Sequence, residues 1–418
     1  MLSPSSKGWI NKYFDLVEKG EIVLKIDRPK GMEKLPFMHM TLSHSGIIYG
    51  FPLEFIFAKN LDFSKWTKNE KLKFLLFESH LFVYSQINKD VAFNKETFIA
   101  SLCYFYAGHS TLSISKIFTF FLKETEEEKI ESILSKRIDI KLNLLENKWW
   151  INSLSNAFCF LDVILFDDFN HKSKDEAFSN YELFAFNAMT AVILAAHSDG
   201  VIEEQERSIF DVFLASTSLH ENERNQLKEK FKTSSSINDL SLFTKRHWLF
   251  KRFLLDLSIL TITSNKVMVD EEMDHLVALC EQLDIPLSEL DENLGFSERF
   301  LLMSHDKIEF MKNTTSYEKV YSSLSKRWTK IILRNKDKIA LELKESKELI
   351  SLVKKSTSHE LTKEEKEQVK TQFKDILKSV PAVAIFMIPG GAFLLPIVLK
   401  ILPDLIPSAF KENEIDDE

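Results

Sequence analysis

The residues of this chain best placed for chemistry are an Asp-Gly turn followed by a glutamate (Asp199, Gly200, Glu206) and five lysines at three- or four-residue steps. Two carboxylates at the mouth of a helix can hold a divalent cation, or they can cap the helix. Glu203, Glu204 and Glu206 fall in the first turn, where carboxylates meet the positive end of the dipole, and an Asp before Gly bonds to the turn backbone. Capping is the favoured reading, with Asp199 and Glu206 as the candidate metal ligands. EF-hand spacing is absent. The lysines, Lys363, Lys366, Lys370, Lys374 and Lys378, line one stripe of a helix whose Val369, Phe373, Ile376 and Leu377 make an apolar face. Such a stripe is either a solvated face offset by Glu364, Glu367 and Asp375 or suited to an anionic lipid surface at about 1 kcal/mol per lysine. The apolar run that follows it favours the lipid surface. There is no nucleotide loop, no H-E-x-x-H, no nucleophile elbow and no His/Cys metal spacing. The eleven His are scattered singly, and Cys103, Cys159 and Cys280 each lie in an apolar stretch, as buried thiols in a reducing compartment do. The chain is expected not to be an enzyme and to need no cofactor beyond a divalent cation near Asp199.

The elements that position these residues are expected to be helices. Of 418 residues 44% are hydrophobic, 35 are Phe, and only 10 Gly and 10 Pro are present, too few for a sandwich or barrel. The fold class is all-α, a multi-helix bundle. A net charge of −8 gives no global basic field, so no nucleic-acid partner is expected. Met1 to Gly8 lacks the apolar core of a signal peptide, which places the bulk of the chain in the cytoplasm. Residues 1–65 read as an irregular N-terminal arm, with a short helix over Ser5–Val17 and strand-like alternation over Glu21–Asp27. A helical domain follows over 66–146, with runs at 68–87, 94–107 and 111–140. Region 147–290 comes next, entered by an apolar run from Glu146 to Phe169. Then come a charged helical linker over 291–378, with one long helix from Ser316 to Lys354, an apolar segment over 379–410 and an acidic tail over 411–418.

An internal repeat organises the middle. A shift of 66 residues lays Met189, Val192, Ile193 and Ala196 over Leu255, Ser258, Ile259 and Ile262, each set on one helix face. It also places Asp199-Gly200 over Asn265-Lys266 and Glu206 over Glu272. Each copy is read as a helix, a tight turn and a second helix. This duplicated αα-hairpin resembles the TerB-like family, whose mark is an apolar helix, an Asp-Gly turn and a Glu opening the next helix. The resemblance implies a cation near Asp199 and none in the second copy, where Lys266 stands.

The C-terminal segment carries 21 uncharged residues from Ser379 to Leu399, the thickness of a bilayer if helical. Pro381, Pro389, Pro396, Phe393-Leu394-Leu395-Pro396 and Ile406-Pro407-Ser408-Ala409-Phe410 resemble the membrane segment of the Letm family. With the TerB-like middle, the chain resembles the bacterial Letm-related biofilm-associated proteins. The resemblance implies a membrane-associated scaffold or adaptor linked to biofilm or stress response. It sits at the cytoplasmic face of the inner membrane on a single C-terminal membrane helix or apolar hairpin. The membrane-contacting residues would be the five lysines with Pro381, Pro389, Gly390, Gly391, Phe393 and Pro396. Protein partners, or a second copy of the chain, complete the expected partner set. Ala392 stands where the family has a Glu, which speaks against ion exchange. The chain ends eight residues after Phe410, so the family's ribosome-binding domain is expected to be missing. Two alternatives stay open: a Letm-like cation/proton transport component, and a soluble binding protein that buries its C-terminal hairpin.

Overall fold

The computed structural model describes residues 2–88, 92–108, 124–139, 154–171, 181–233, 236–240, 247–263, 268–307, 312, 314–344, 346–356, 358–379, 399 and 402. Among them every regular element is a helix. In chain order these are α1 (Trp9–Glu18), α2 (Lys34–Ser45), α3 (Lys68–Ile87), α4 (Lys95–Ala107), α5 (Glu126–Ile138) and α6 (Cys159–His171). Next come α7 (Tyr181–Ala196), α8 (Glu204–Ser216), α9 (Glu221–Thr233), α10 (Trp248–Ile262) and α11 (Asp270–Gln282). The last are α12 (Leu287–Met303), α13 (Thr314–Arg334), α14 (Lys336–Lys344), α15 (Lys347–Ser356) and α16 (Lys363–Ser379). The chain forms two units: Met1–Ile26, Met38–Ser297 and Lys307–Phe310 in the first, and Asp27–Phe37, Glu298–Asp306 and Met311–Glu418 in the second.

In the first unit the helix starts follow from their caps. Thr67 Oγ1 accepts the Glu70 N–H at 3.2 Å while Glu70 returns a carboxylate to the Thr67 N–H at 2.8 Å, the reciprocal box that opens α3. Asn94 caps α4, and Thr125 with Glu128 opens α5. Helices α7 and α10 pack on each other, α3 lies on α6, and α4 on α5. Nearly every side of α7 is buried, the signature of a helix at the centre of a core. Met189, Val192, Ile193 and Ala196 are all buried, as are Leu255, Ser258, Ile259 and Ile262. Helix α11 starts and ends 66 residues after α8 does. One close approach demands glycine: Gly50 has φ +61°, and a Cβ there would lie 2.2 Å from the Asn156 carbonyl carbon.

Within residues 2–65, α1 and α2 are regular helices, while 19–33 and 51–65 carry no helix or strand. Helix α1 buries Trp9, Ile10, Tyr13 and Phe14, and Glu21–Asp27 forms no strand. Alternation without a neighbouring strand to pair with is not enough.

In the second unit the expected single helix over Ser316–Lys354 is three helices, α13, α14 and α15. The Asn335 side chain donates to the Ile331 carbonyl at 2.9 Å, and its N–H to Ile332 at 3.0 Å, so terminal carbonyls of α13 are satisfied locally and the helix stops. Val320, Leu324, Trp328 and Ile331 form the buried face of α13, as their spacing foretells.

The expected C-terminal membrane helix is corrected: among the described residues no helix is long and apolar enough to cross a membrane. The longest two, α3 and α13, are studded with Lys, Glu and Arg. Pro381, Pro389, Gly390, Gly391, Phe393 and Pro396, and with them the expected apolar hairpin, lie outside the described residues.

Candidate functional site

The second unit presents the lysine-bearing helix as one arm of a hairpin. Thr362 Oγ1 accepts the Glu365 N–H at 3.2 Å, and Glu365 accepts the Thr362 N–H at 2.9 Å, so the capping box read from the sequence starts α16. Val369, Phe373 and Ile376 are buried. They belong to the face that α16 sets against α14 and α15, whose Ile339, Leu343, Leu349 and Val353 are buried too. Burial of that face fixes where the lysines go. Lys363 is exposed, and Lys366 and Lys370 are partly exposed beside it. Lys366 pairs with Glu360 at 3.0 Å and Lys370 with Glu367 at 3.1 Å, while Lys355 on α15 pairs with Glu365 at 2.6 Å. The Lys355 ammonium, with the Thr362 N–H, holds the Glu365 carboxyl below its ordinary range. The side chains of Lys374 and Lys378 lie outside the described residues. What remains is a row of point charges on an exposed face, in surface pairs that solvent screens.

The first unit keeps its polar groups inside. Arg137 meets Asp162 in a two-pronged pair, Nε to Oδ2 at 2.7 Å and Nη2 to Oδ1 at 2.8 Å. Tyr106 donates to the same carboxylate at 3.2 Å, and the His80 ring lies 3.4 Å from the Tyr106 hydroxyl. Burial works against the Arg137 charge, and Asp162 more than offsets it, holding the guanidinium well above its ordinary value. Burial pushes His80 down to about 4. Glu78 accepts the N–H groups of Ile56, Phe57 and Ala58 and the Tyr13 hydroxyl. Burial raises it to about 7 against those four bonds. A third network joins His39 to Asp256 at 2.9 Å, Asp256 to Asn293 at 2.7 Å, and Asn293 to Arg252. These groups brace helices within the first unit.

The two turn carboxylates sit in backbone roles. Asp199 Oδ1 accepts the Val201 N–H at 3.0 Å beside Gly200 at φ +81°, and the buried Glu206 accepts the Glu203 N–H at 2.8 Å. Glu272, one repeat later, accepts the Val269 N–H at 2.7 Å. Among the described residues no group of three or more His, Cys, Asp or Glu could hold a metal ion. Burial pushes Cys103 and Cys159 up to about 12 and Cys280 to about 11, so the thiols stay protonated and poor as nucleophiles. The buried pairs escaped the sequence reading because their partners are far apart in the chain, and spacing carries no trace of them.

The comparisons bear on the lysine hairpin. A family model described as "LETM1-like, RBD" matches residues 361–418. The chain is 37% identical over 76 residues to the LETM1 domain-containing protein YLH47, mitochondrial, of Saccharomyces cerevisiae, covering 18% of this chain and 16% of that protein. It is 35% identical over 74 residues to the LETM1 domain-containing protein mdm28, mitochondrial, of Schizosaccharomyces pombe, covering 18% and 15%. The match thus spans under a fifth of either relative. No solved structure matches the chain. Three expectations are corrected. The domain expected to be missing has a matching model, which begins before the apolar run and continues to the last residue. The relatives are mitochondrial proteins of yeasts, not bacterial ones. A place at the cytoplasmic face of an inner membrane, held by a single C-terminal membrane segment, is set aside on both that ground and the lack of a spanning helix among the described residues. Residues 361–418 are thus similar to the LETM1-like family, a likeness that covers under a fifth of the chain.

Proposed function

We propose that this chain is a non-enzymatic helical scaffold that associates peripherally with an anionic membrane surface through the lysine-bearing side of α16. One observation carries the reading: α16 spends its apolar face on α14 and α15, and its Lys363, Lys366 and Lys370 flank that face where solvent reaches them. The glutamates beside Lys366 and Lys370 are exposed, so a lipid phosphate can replace them at little cost. Lipid phosphates offer a denser anionic surface than single carboxylates, and each lysine near it adds about 1 kcal/mol. The mitochondrial relatives support a setting in which membranes are at hand. The first unit supports a structural role: its thiols stay protonated, and its buried carboxylates Glu78, Asp162, Glu206 and Asp256 are held by backbone, arginine, histidine or asparagine partners. The matching bounds of α8 and α11, and the Glu206 and Glu272 caps, support a duplicated TerB-like hairpin as the fold of the middle. The biofilm and stress link rests on resemblance alone. Flotation of the full chain with vesicles tests the proposal: it should rise with phosphatidylserine-containing vesicles at low salt and stay behind with phosphatidylcholine. Equal behaviour with both would end it.

A further inference from the structure

A cleft of about 710 Å³ runs along the outer side of α4 in the first unit, a volume suited to a small molecule. Its floor is one helical face, Ala100, Ser101, Tyr104 and Ala107, whose small residues open the space. Tyr104 and Phe169 stand together as an aromatic wall, ring centroids 5.8 Å apart, and Tyr84 adds a third ring. Tyr104 is 49% exposed, so its ring reaches whatever enters.

The polar groups of the cleft decide the sign of its guest. Thr97 gives its hydroxyl proton to Asn94 at 2.7 Å, and Ser101 gives its own to Asn170 at 3.1 Å. Cys103 directs its thiol to the Glu126 carbonyl, and the amides of Asn88 and Asn170 each donate to a backbone carbonyl. With the Thr97, Ser101 and Cys103 protons spent, the lone pairs of Thr97 and Ser101 and the Glu126 carboxylate are acceptors, beside the tyrosine hydroxyls and the second amide protons of Asn88 and Asn170. Glu126 is exposed, and among the described residues no lysine or arginine lines the cleft. Lys129 acts on Cys103 from nearby, with Glu126 and Glu127 outweighing it in number. The C-terminal ends of α3 and α6, at Ile87 and Asn170, line the space, as do the first turns of α4 at Thr97 and of α5 at Glu126. Helix poles of both signs thus meet there, and among the described residues the Glu126 carboxylate carries the one formal charge of the lining.

We propose that this cleft binds a small organic ammonium ion with an apolar or aromatic body. The ammonium would donate to Glu126 and the hydroxyl oxygens, while its body lies on the Tyr104–Phe169 wall, a surface that attracts cations. Isothermal titration of the full chain with phenethylammonium, and with neutral 2-phenylethanol as its near-isostere, tests this. The amine should bind saturably and the alcohol at least about fivefold more weakly, since only the ion gains from ring faces and carboxylate. Tyr104→Ala and Glu126→Gln alter exposed side chains, should melt as the parent does, and should each weaken the amine about threefold or more. No saturable amine binding, equal affinity for the alcohol, or parental affinity in both variants would overturn the proposal.

Discussion

Arg137 and Asp162 meet through two parallel hydrogen bonds inside the first unit, with the aspartate side chain wholly buried. The pair ties α5 to α6, and Tyr106 brings α4 to the same carboxylate. Removing one charge leaves the other buried without compensation. Asp162→Asn should therefore cost about 3–5 kcal/mol in denaturant melts. Asp239→Asn, which breaks an exposed pair with Lys230, should cost under about 1 kcal/mol. Equal losses would show that burial does not set the worth of these pairs.

Two glycines with positive φ should respond differently to alanine. At Gly50 the added Cβ meets the Asn156 and Ala157 backbone at 2.2 and 2.3 Å, so the backbone itself must move. At Gly200 nothing lies within 4 Å, and only the left-handed conformation is penalised, by about 1–2 kcal/mol. Gly50→Ala should lose clearly more stability than Gly200→Ala in thermal melts, and the reverse order would contradict the close approach.

Glu78 and His80 make opposing contributions to stability against pH. Glu78 rises from 4.5 to about 7 on folding, so its contribution is present below pH 4.5 and lost as pH climbs to 7. His80 falls from 6.5 to about 4, so its contribution is present above pH 6.5 and lost as pH drops to 4. Between 4.5 and 6.5 the two slopes, each at most about 1.4 kcal/mol per pH unit, offset. Glu78→Gln leaves the histidine contribution unopposed. Its stability, measured by denaturant titration, should fall more steeply than the parent's as pH drops through that window. Parallel pH profiles for parent and variant would count against a proton-retaining Glu78.

Asp199 and Glu206 should not confer a response to divalent cations. Both carboxylates already accept backbone N–H groups. Calcium or magnesium should leave the melting temperature of the full chain unchanged. An ion at a hundredfold over its dissociation constant would instead add about 2.7 kcal/mol, and Asp199→Asn would remove that gain. An Asp199-dependent rise would make this turn a metal site.

Periodicity and caps were the legible part of the sequence. The run read over 68–87 is α3, and the Thr362–Glu365 box opens α16 as its residues dictate. The 66-residue shift carries the bounds of α8 onto α11 because capping glutamate and apolar face repeat together. Other features left no such mark. The breaks after Arg334 and Lys344 contain neither Pro nor Gly, so a charged stretch with continuous helical spacing read as one helix. In the N-terminal region Pro36 ends no helix: it lies in the first turn of α2, where its missing N–H is no loss. The polar networks were illegible for a different reason. His39 and Asp256 are 217 residues apart, and Arg137 and Asp162 lie on separate helices, so only packing brings them together.

The central claim is that lysines on α16 bind an anionic lipid surface, and neutralising them tests it most directly. In the full chain, Lys363, Lys366 and Lys370 would be changed together to Gln, leaving the buried Val369, Phe373 and Ile376 intact. Vesicle flotation would then be compared with the parent at low and high salt. The account predicts that the parent binds phosphatidylserine-containing vesicles at low salt and is released at high salt, where charges are screened. It also predicts a variant that binds at least about tenfold more weakly while melting as the parent does. A variant that floats as the parent does, or a parent indifferent to salt, would contradict it.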